Sequence, residues 1–269
     1  MKRPKSDYAI QTVTNALSLL DALQSEDELG VTELSRRLGL HKNNVFRLLA
    51  TLEERGYVEQ TENADLYRLS LSCLELGQAF VRGRDLLREA QPVLARLARE
   101  AGETVHLAVL QDFEVVHLAG EQPDQMLRAG LRIGRRLFPH CSALGKVLLG
   151  CAGEGVRHAY DREIVAGGGL TAATPVTIVD GVKLQEHLRS VASQGFALDV
   201  EECEAGLSCA AAPVYDGASR LVAALSISGP AVRLDPETLL RTIVPRVVAG
   251  AEHLSARLGF PVAAASPVA

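Results

Sequence analysis

Three stretches with helical spacing, followed by a pair with strand spacing, occupy the first 70 residues. Over 7–23 the apolar side chains recur at Ile10, Val13, Ala16, Leu17 and Leu20, the three-and-four spacing of an amphipathic helix. After an acidic break and Gly30, the run 31–38 reads as a short helix with Thr32 as its N-cap and Gly39 as its end. Residues 41–55 predict the next helix, with Val45, Leu48, Leu49 and Leu52 on its inward stripe and Gly56 as its stop. The segments 57–60 and 66–69, either side of the turn-prone Asn63-Ala64-Asp65, read as a small hairpin. This order is that of a winged helix-turn-helix, whose first short helix braces the second so that its outward N-terminal residues reach base edges in a major groove.

Opposite the apolar stripe of that second helix stand Lys42, Asn43, Asn44, Arg47 and Thr51, the groups that reading duplex DNA requires. Arg47 suits guanine O6/N7 or a phosphate, Asn43 or Asn44 suits adenine N6/N7, and Lys42 suits a phosphate. Arg36, Arg37 and Arg68 read as positioning contacts, with Lys2, Arg3 and Lys5 as a basic arm. A polar helix face is ordinarily only solvated, and it is the order of elements that favours DNA contact here. Charge does not help: residues 1–70 hold nine basic and eleven acidic side chains, and the whole chain has a formal charge of −5. Binding must rest on local placement, and non-specific binding is expected to be weak and strongly salt-sensitive.

At 269 residues the chain predicts two domains, and 47% hydrophobic with 23% charged residues excludes collagen-like, low-complexity and wholly disordered classes. With no Trp and 4% aromatics the core must be aliphatic. A linker helix is expected over 72–84 and another helix over 85–101, with a local irregularity at Pro92. Beyond Gly102 the pattern gives strands at 105–110, 114–118, 212–214 and 222–228 and helices at 143–149, 183–194 and 236–258. That is an α+β domain with a mainly antiparallel sheet. Gly153, Gly155 and Gly167 to Gly169 read as helix stops and loop, and the tail 261–269 as frayed. The division is therefore 1–71, 72–84, 85–260 and 261–269.

No apolar run approaches the roughly 18 to 20 residues of a membrane span, and the N-terminus lacks the apolar stretch of a secretory signal, so a cytoplasmic address is expected. Five scattered cysteines without a CxxC pair fit free thiols in a reducing compartment.

Three stretches resemble the IclR family of bacterial transcriptional regulators. Leu34-Ser35-Arg36-Arg37-Leu38-Gly39-Leu40, with Val45-Phe46-Arg47-Leu48-Leu49 and Leu52-Glu53-Glu54-Arg55-Gly56-Tyr57-Val58, is similar to the family's DNA-binding head. Pro139-His140-Cys141-Ser142-Ala143-Leu144-Gly145-Lys146 is similar to its pocket helix. The signature runs from Gly195 through Asp199, Glu202 and Cys209 to Ala211, Val214, Tyr215 and Asp216, and Leu225 to Pro230 with Arg233 resembles the closing strand. Ala210 departs from the branched aliphatic residue usual after that cysteine, which leaves more room beside the pocket.

The resemblance implies a GAF-like effector-binding domain over 85–260, a homodimer or dimer of dimers, and control of a nearby operon by a small metabolite. It implies Met126, Leu137, Ala143, Leu144, Leu207 and Cys209 as pocket walls and Asp199, Ser226 and Ser228 as polar contacts. Core packing alone competes with ligand contact for Met126, Leu137 and Leu207, and bonding to neighbouring backbone competes for the serines.

The residues support a small carboxylate as the effector. The segment 138–145 opens a helix where free N–H groups favour an anion, and Ser226 and Ser228 alternate onto one strand face. Aliphatic and aromatic acids both fit this reading. The rival is a metal- or thiol-sensing regulator built on Cys141, Cys203 or Cys209, with His140 and Asp199 as further ligands. Gly206-Leu207-Ser208-Cys209-Ala210 lacks the second Gly of a nucleophile elbow, and no phosphate-cradling Gly-rich loop follows a strand. Neither an enzyme nor a cofactor is expected.

Overall fold

Residues 9–24, 26–61, 65–82 and 85–261 are described by the computed structural model, and the chain divides into two units, Met1–Gly83 and Arg84–Ala269. The basic arm of Lys2, Arg3 and Lys5, the turn residues Asn63 and Ala64, and the tail 262–269 lie outside the described residues.

In the first unit α1 (Gln11–Gln24), β1 (Leu29–Gly30), α2 (Val31–Leu38), α3 (Lys42–Glu54), β2 (Val58–Gln60) and β3 (Leu66–Leu69) follow one another, and α4 (Leu71–Arg82) ends it. Leu19, Leu23, Leu34, Val45, Leu49, Val58 and Tyr67 are buried together as its core. The antiparallel sheet runs β1-β3-β2, with Glu59 opposite Arg68. Gly39 takes φ +63° after α2, the left-handed geometry that lets its N–H reach the Ser35 carbonyl and end the helix. Thr32 is not the N-cap. Gly30, paired with Leu66 in the sheet, hands the chain directly from strand to helix, which puts Thr32 inside the first turn.

The second unit begins with α5 (Asp85–Ala101), which passes through Pro92 without a break, the proline lying on its exposed side. Then come β4 (Thr104–Gln111), β5 (Glu114–Glu121), β6 (Arg136–Leu137), α6 (Ala143–Gly150) and α7 (Glu154–Tyr160), followed by a π-helical turn, Asp161–Val165, and α8 (Ala166–Gly168). Gly155, Gly167 and Gly168 are helical rather than loop, while Gly153 and Gly169, both at positive φ, bracket the helical stretch. After α9 (Gly181–Gln194) come β7 (Ala197–Val200), β8 (Leu207–Tyr215) and β9 (Leu221–Pro230). The unit closes with α10 (Pro236–Thr238), a second π turn at Leu239–Ile243, and α11 (Val244–Arg257).

The six strands form one antiparallel sheet in the order β6-β5-β4-β9-β8-β7. Period-two alternation divides its side chains between two faces. On one, Val105, Leu107, Ala210, Ala212, Leu225 and Ile227 pack with α5 and α11. On the other, Ala108, Val115, Cys209, Ala211 and Ala224 meet Ala143, Leu144, Val147 and Leu148 of α6. The start of α6 is seated so closely that a Cβ at Gly145 would lie 2.2 Å from the Pro139 Cα, which only glycine permits. Among the described residues no helix is long and apolar enough to cross a membrane.

Candidate functional site

One face of α3 presents Lys42, Asn43, Asn44, Arg47 and Thr51 to solvent, while Val45, Leu48 and Leu49 are buried. Lys42 and Arg47 make no ion pair among the described residues. Thr51 is partly committed, its hydroxyl donating to the Arg47 carbonyl at 2.8 Å. Arg36, Arg37 and Arg68 differ, because each is held by acidic neighbours. Arg36 bonds Glu33 at 2.6 Å, Arg37 bonds Glu33 at 2.7 Å and Glu26 at 2.5 Å, and Arg68 bonds Glu59 at 2.7 Å. Arg36 and then Arg37 hold the Glu33 carboxyl down to about 2. Thr12 and Asn15 of α1, which sequence reading missed, share a surface cleft with Asn44, Arg47 and Thr51.

In the second unit Leu137, Ala143, Leu144, Asp199, Leu207, Cys209, Ser226 and Ser228 line one cavity of about 30 Å³ beneath α6. Met126 does not: it is fully exposed in the loop after β5. His106, His117, Ala129, Arg132, Ser142 and Cys203 complete the lining; of these the sequence points to Cys203, as a thiol, and to Ser142, within the pocket-helix stretch. Strand register explains the gathering, with His106 opposite Ser226, and Cys209 opposite both Ser228 and Asp199. Ser226 Oγ has no partner among the described residues, whereas the Ser228 hydroxyl shares a hydrogen bond with the Cys209 thiol. Ser142 caps α6 by accepting the Gly145 N–H at 3.1 Å.

Asp199 is 1% exposed, and its Oδ1 accepts the backbone N–H groups of Glu202 at 2.8 Å and Cys203 at 3.2 Å. Burial pushes its carboxyl up to about 7 against the pull of Lys146. Lys146, wholly buried on α6, donates to Glu202 at 2.5 Å. Burial likewise lowers His106 to about 4 and His117 to about 3, so both imidazoles are neutral at pH 7. Arg132 pairs with Glu204 at the rim.

The raised value of Asp199 has a measurable consequence. Between pH 4 and 7 the folded chain keeps a proton that the unfolded carboxyl has released, so stability falls as pH rises through that window. Asp199→Asn removes this loss while keeping an oxygen acceptor for the two amides. The variant is expected to gain stability relative to the parent between pH 4 and pH 8, by at most about 4 kcal/mol. Urea unfolding at the two pH values reads this, and a difference that stays constant with pH would show that Asp199 titrates normally.

Cys141 and Cys203 share a thiol hydrogen bond that raises the first and lowers the second, and burial raises Cys209. All five cysteines are free thiols. His140 is engaged elsewhere, with Nε2 at 2.9 Å from the Thr171 carbonyl and Nδ1 at 3.3 Å from the Tyr160 hydroxyl. Among the described residues no group of three or more His, Cys, Asp or Glu is placed to hold a metal ion, so the metal-sensing rival finds no support.

A helix-turn-helix with an exposed polar face at its second helix, ahead of a cavity-bearing α+β unit, defines a DNA-binding transcriptional regulator. A family model described as the C-terminal domain of the bacterial transcriptional regulator IclR matches residues 78–256, and the IclR helix-turn-helix domain matches residues 12–62. The chain belongs to the IclR family of bacterial transcriptional regulators.

It is 36% identical to the Escherichia coli HTH-type transcriptional regulator XynR, covering 94% of this chain and 98% of that one. It is 35% identical to the E. coli regulator KdgR, covering 95% of each. These relatives are regulators rather than enzymes. Among solved structures, an IclR transcriptional regulator from Alicyclobacillus acidocaldarius superposes with a TM-score of 0.82 at 26% identity, covering 94% of this chain and all of that one. An IclR homologue from Microbacterium hydrocarbonoxydans, complexed with 4-hydroxybenzoate, superposes with a TM-score of 0.75 at 24% identity, covering 92% and 97%.

Proposed function

We propose that this regulator binds its operator under the control of a small organic acid held in the cavity beneath α6. The carrying observation is the convergence of Asp199, Ser226, Ser228 and the first residues of α6 on one cavity. A water needs about 10–15 Å³ of such space, so a cavity of about 30 Å³ favours a compact acid over a benzoate. The Microbacterium homologue also holds a carboxylic acid, but that likeness is one of fold, and the ligand class here rests on the lining. An acid that prefers one arrangement of the sensor unit shifts operator affinity, and the operator shifts acid affinity reciprocally.

The proposal includes a symmetric homodimer or dimer of dimers, with 72–84 as the linker helix. α4 buries none of its described side chains and exposes Leu71, Leu74 and Leu76, while α1 exposes Val13 and Leu17, and Ile10 just before it is exposed too. A 12-residue helix without a buried face is marginal alone, and a second copy would supply one. In each half-site α3 would read bases through Arg47 and Asn43 or Asn44, with Lys42, Arg36, Arg37 and Arg68 on phosphates.

A thermal-shift panel of short oxo-acids, hydroxy-acids and hydroxybenzoates tests the reading. A short acid at a hundredfold its Kd is expected to stabilise the protein by about 2.7 kcal/mol, with the shift lost in Ser226→Ala. No shift with any acid would sink it.

A further inference from the structure

Three side chains on the sheet side of the cavity leave four buried polar atoms without a partner among the described residues: His106 Nδ1, His117 Nδ1 and Nε2, and Ser226 Oγ. None of the three is more than 3% exposed. They form one patch, since His106 faces Ser226 across β4 and β9 and the two imidazole centroids lie 4.9 Å apart, edge to face. Buried polar groups in native proteins are almost always satisfied, and a patch needed only for packing would be better served by apolar residues of the same shape.

The chemistry of the patch narrows its occupant. His106 Nε2 lies 3.3 Å from the Gly130 carbonyl, so that nitrogen carries the proton and Nδ1 offers a lone pair that only a donor can satisfy. A carboxylate or a ketone accepts only, and an alkyl group does neither. The neutral His117 imidazole offers one donor and one acceptor, and Ser226 offers both. A hydroxyl matches all three.

We propose that His106, His117 and Ser226 form a hydroxyl-recognition subsite beside the carboxylate position, and that the effector is a short hydroxylated acid. This rests on the reading of the cavity as an organic-acid site and goes one step further, to the substituent that the acid carries.

Calorimetric titration of the full-length protein with glycerate, lactate, pyruvate and propanoate tests it. The better hydroxy acid is expected to bind at least about tenfold more tightly than pyruvate or propanoate, because the analogues leave the imidazoles unpaired. His117, whose ring nitrogens have no hydrogen-bond partner among the described residues and whose edge-to-face contact with His106 an aromatic ring preserves, is the residue to change. In His117→Phe the preference should fall to within about threefold while propanoate affinity holds. Three results overturn the subsite, and each has a separate signature. Equal affinities in the parent protein remove it and leave the acid reading intact, an undiminished preference in His117→Phe removes the histidine assignment, and no binding of any acid removes both. Should His117→Phe fail to fold, the ratio in the parent protein still decides.

Discussion

Arg47→Ala is expected to weaken operator binding about 30-fold to 10⁴-fold at fixed salt. One good bidentate base contact contributes about 1–3 kcal/mol, and a symmetric dimer loses two of them. Folding should be untouched, because Arg47 is exposed and surface changes of this kind stay within about 0.5 kcal/mol. Anisotropy titration on operator and scrambled duplexes separates the two roles open to the side chain. If Arg47 reads guanine, the loss is concentrated on the operator; if it grips phosphate, both duplexes lose alike and the salt slope drops by about one per site. Unchanged affinity on the operator would remove α3 as the reading helix. Arg36→Ala should cost less, since Glu33 already competes for that guanidinium.

The same ion pairs are neutral in sum and leave the net charge of the first 70 residues unchanged, but they fix where three of its acidic side chains sit. Glu33, Glu26 and Glu59 are spent on Arg36, Arg37 and Arg68, away from the open face of α3. Charge counted along the sequence therefore hides a face on which Lys42 and Arg47 carry no ion pair among the described residues.

The head was legible in the sequence because its signals are local. The stripe of Val45, Leu48 and Leu49 has helical spacing, and Gly39 marks the turn before it by the left-handed conformation that glycine adopts without steric cost. The sensor unit was legible mainly through resemblance. Alternation alone put Ser226 and Ser228 on one face, but nothing local places them in one cavity with Asp199, because that gathering depends on the β7-β8-β9 register. His106 and His117 were missed inside segments read simply as strands. The signal was present, as His106 alternates with Ala108 and His117 with Val115, yet their meeting with Ser226 needs a strand more than a hundred residues away. Met126 shows the opposite failure. Carried over by resemblance, it stands in a loop with no periodicity to fix its direction, and it is exposed.

Lys146→Met should destabilise the second unit by about 3–5 kcal/mol, the usual result of removing one member of a buried ion pair. Lys146 is wholly buried, Glu202 is partly buried with its side chain 13% exposed, and the buried Glu202 Oε2 already lacks a partner among the described residues, so the carboxylate would lose its paired cation. The pair joins α6 to the loop after β7, the same loop whose amides hold Asp199, so it braces two walls of the cavity at once. Lys146 is also the principal charge restraining Asp199, and without it the Asp199 carboxyl should titrate further above 7. The pH window over which stability declines should then extend upward, a signature that simple loss of packing does not produce. The double change Lys146→Met with Glu202→Leu replaces the pair by apolar groups and should recover most of the loss, as measured by urea unfolding at pH 7. A single change costing under about 1 kcal/mol, or a double variant no more stable than the single, would mean that the ion pair braces nothing.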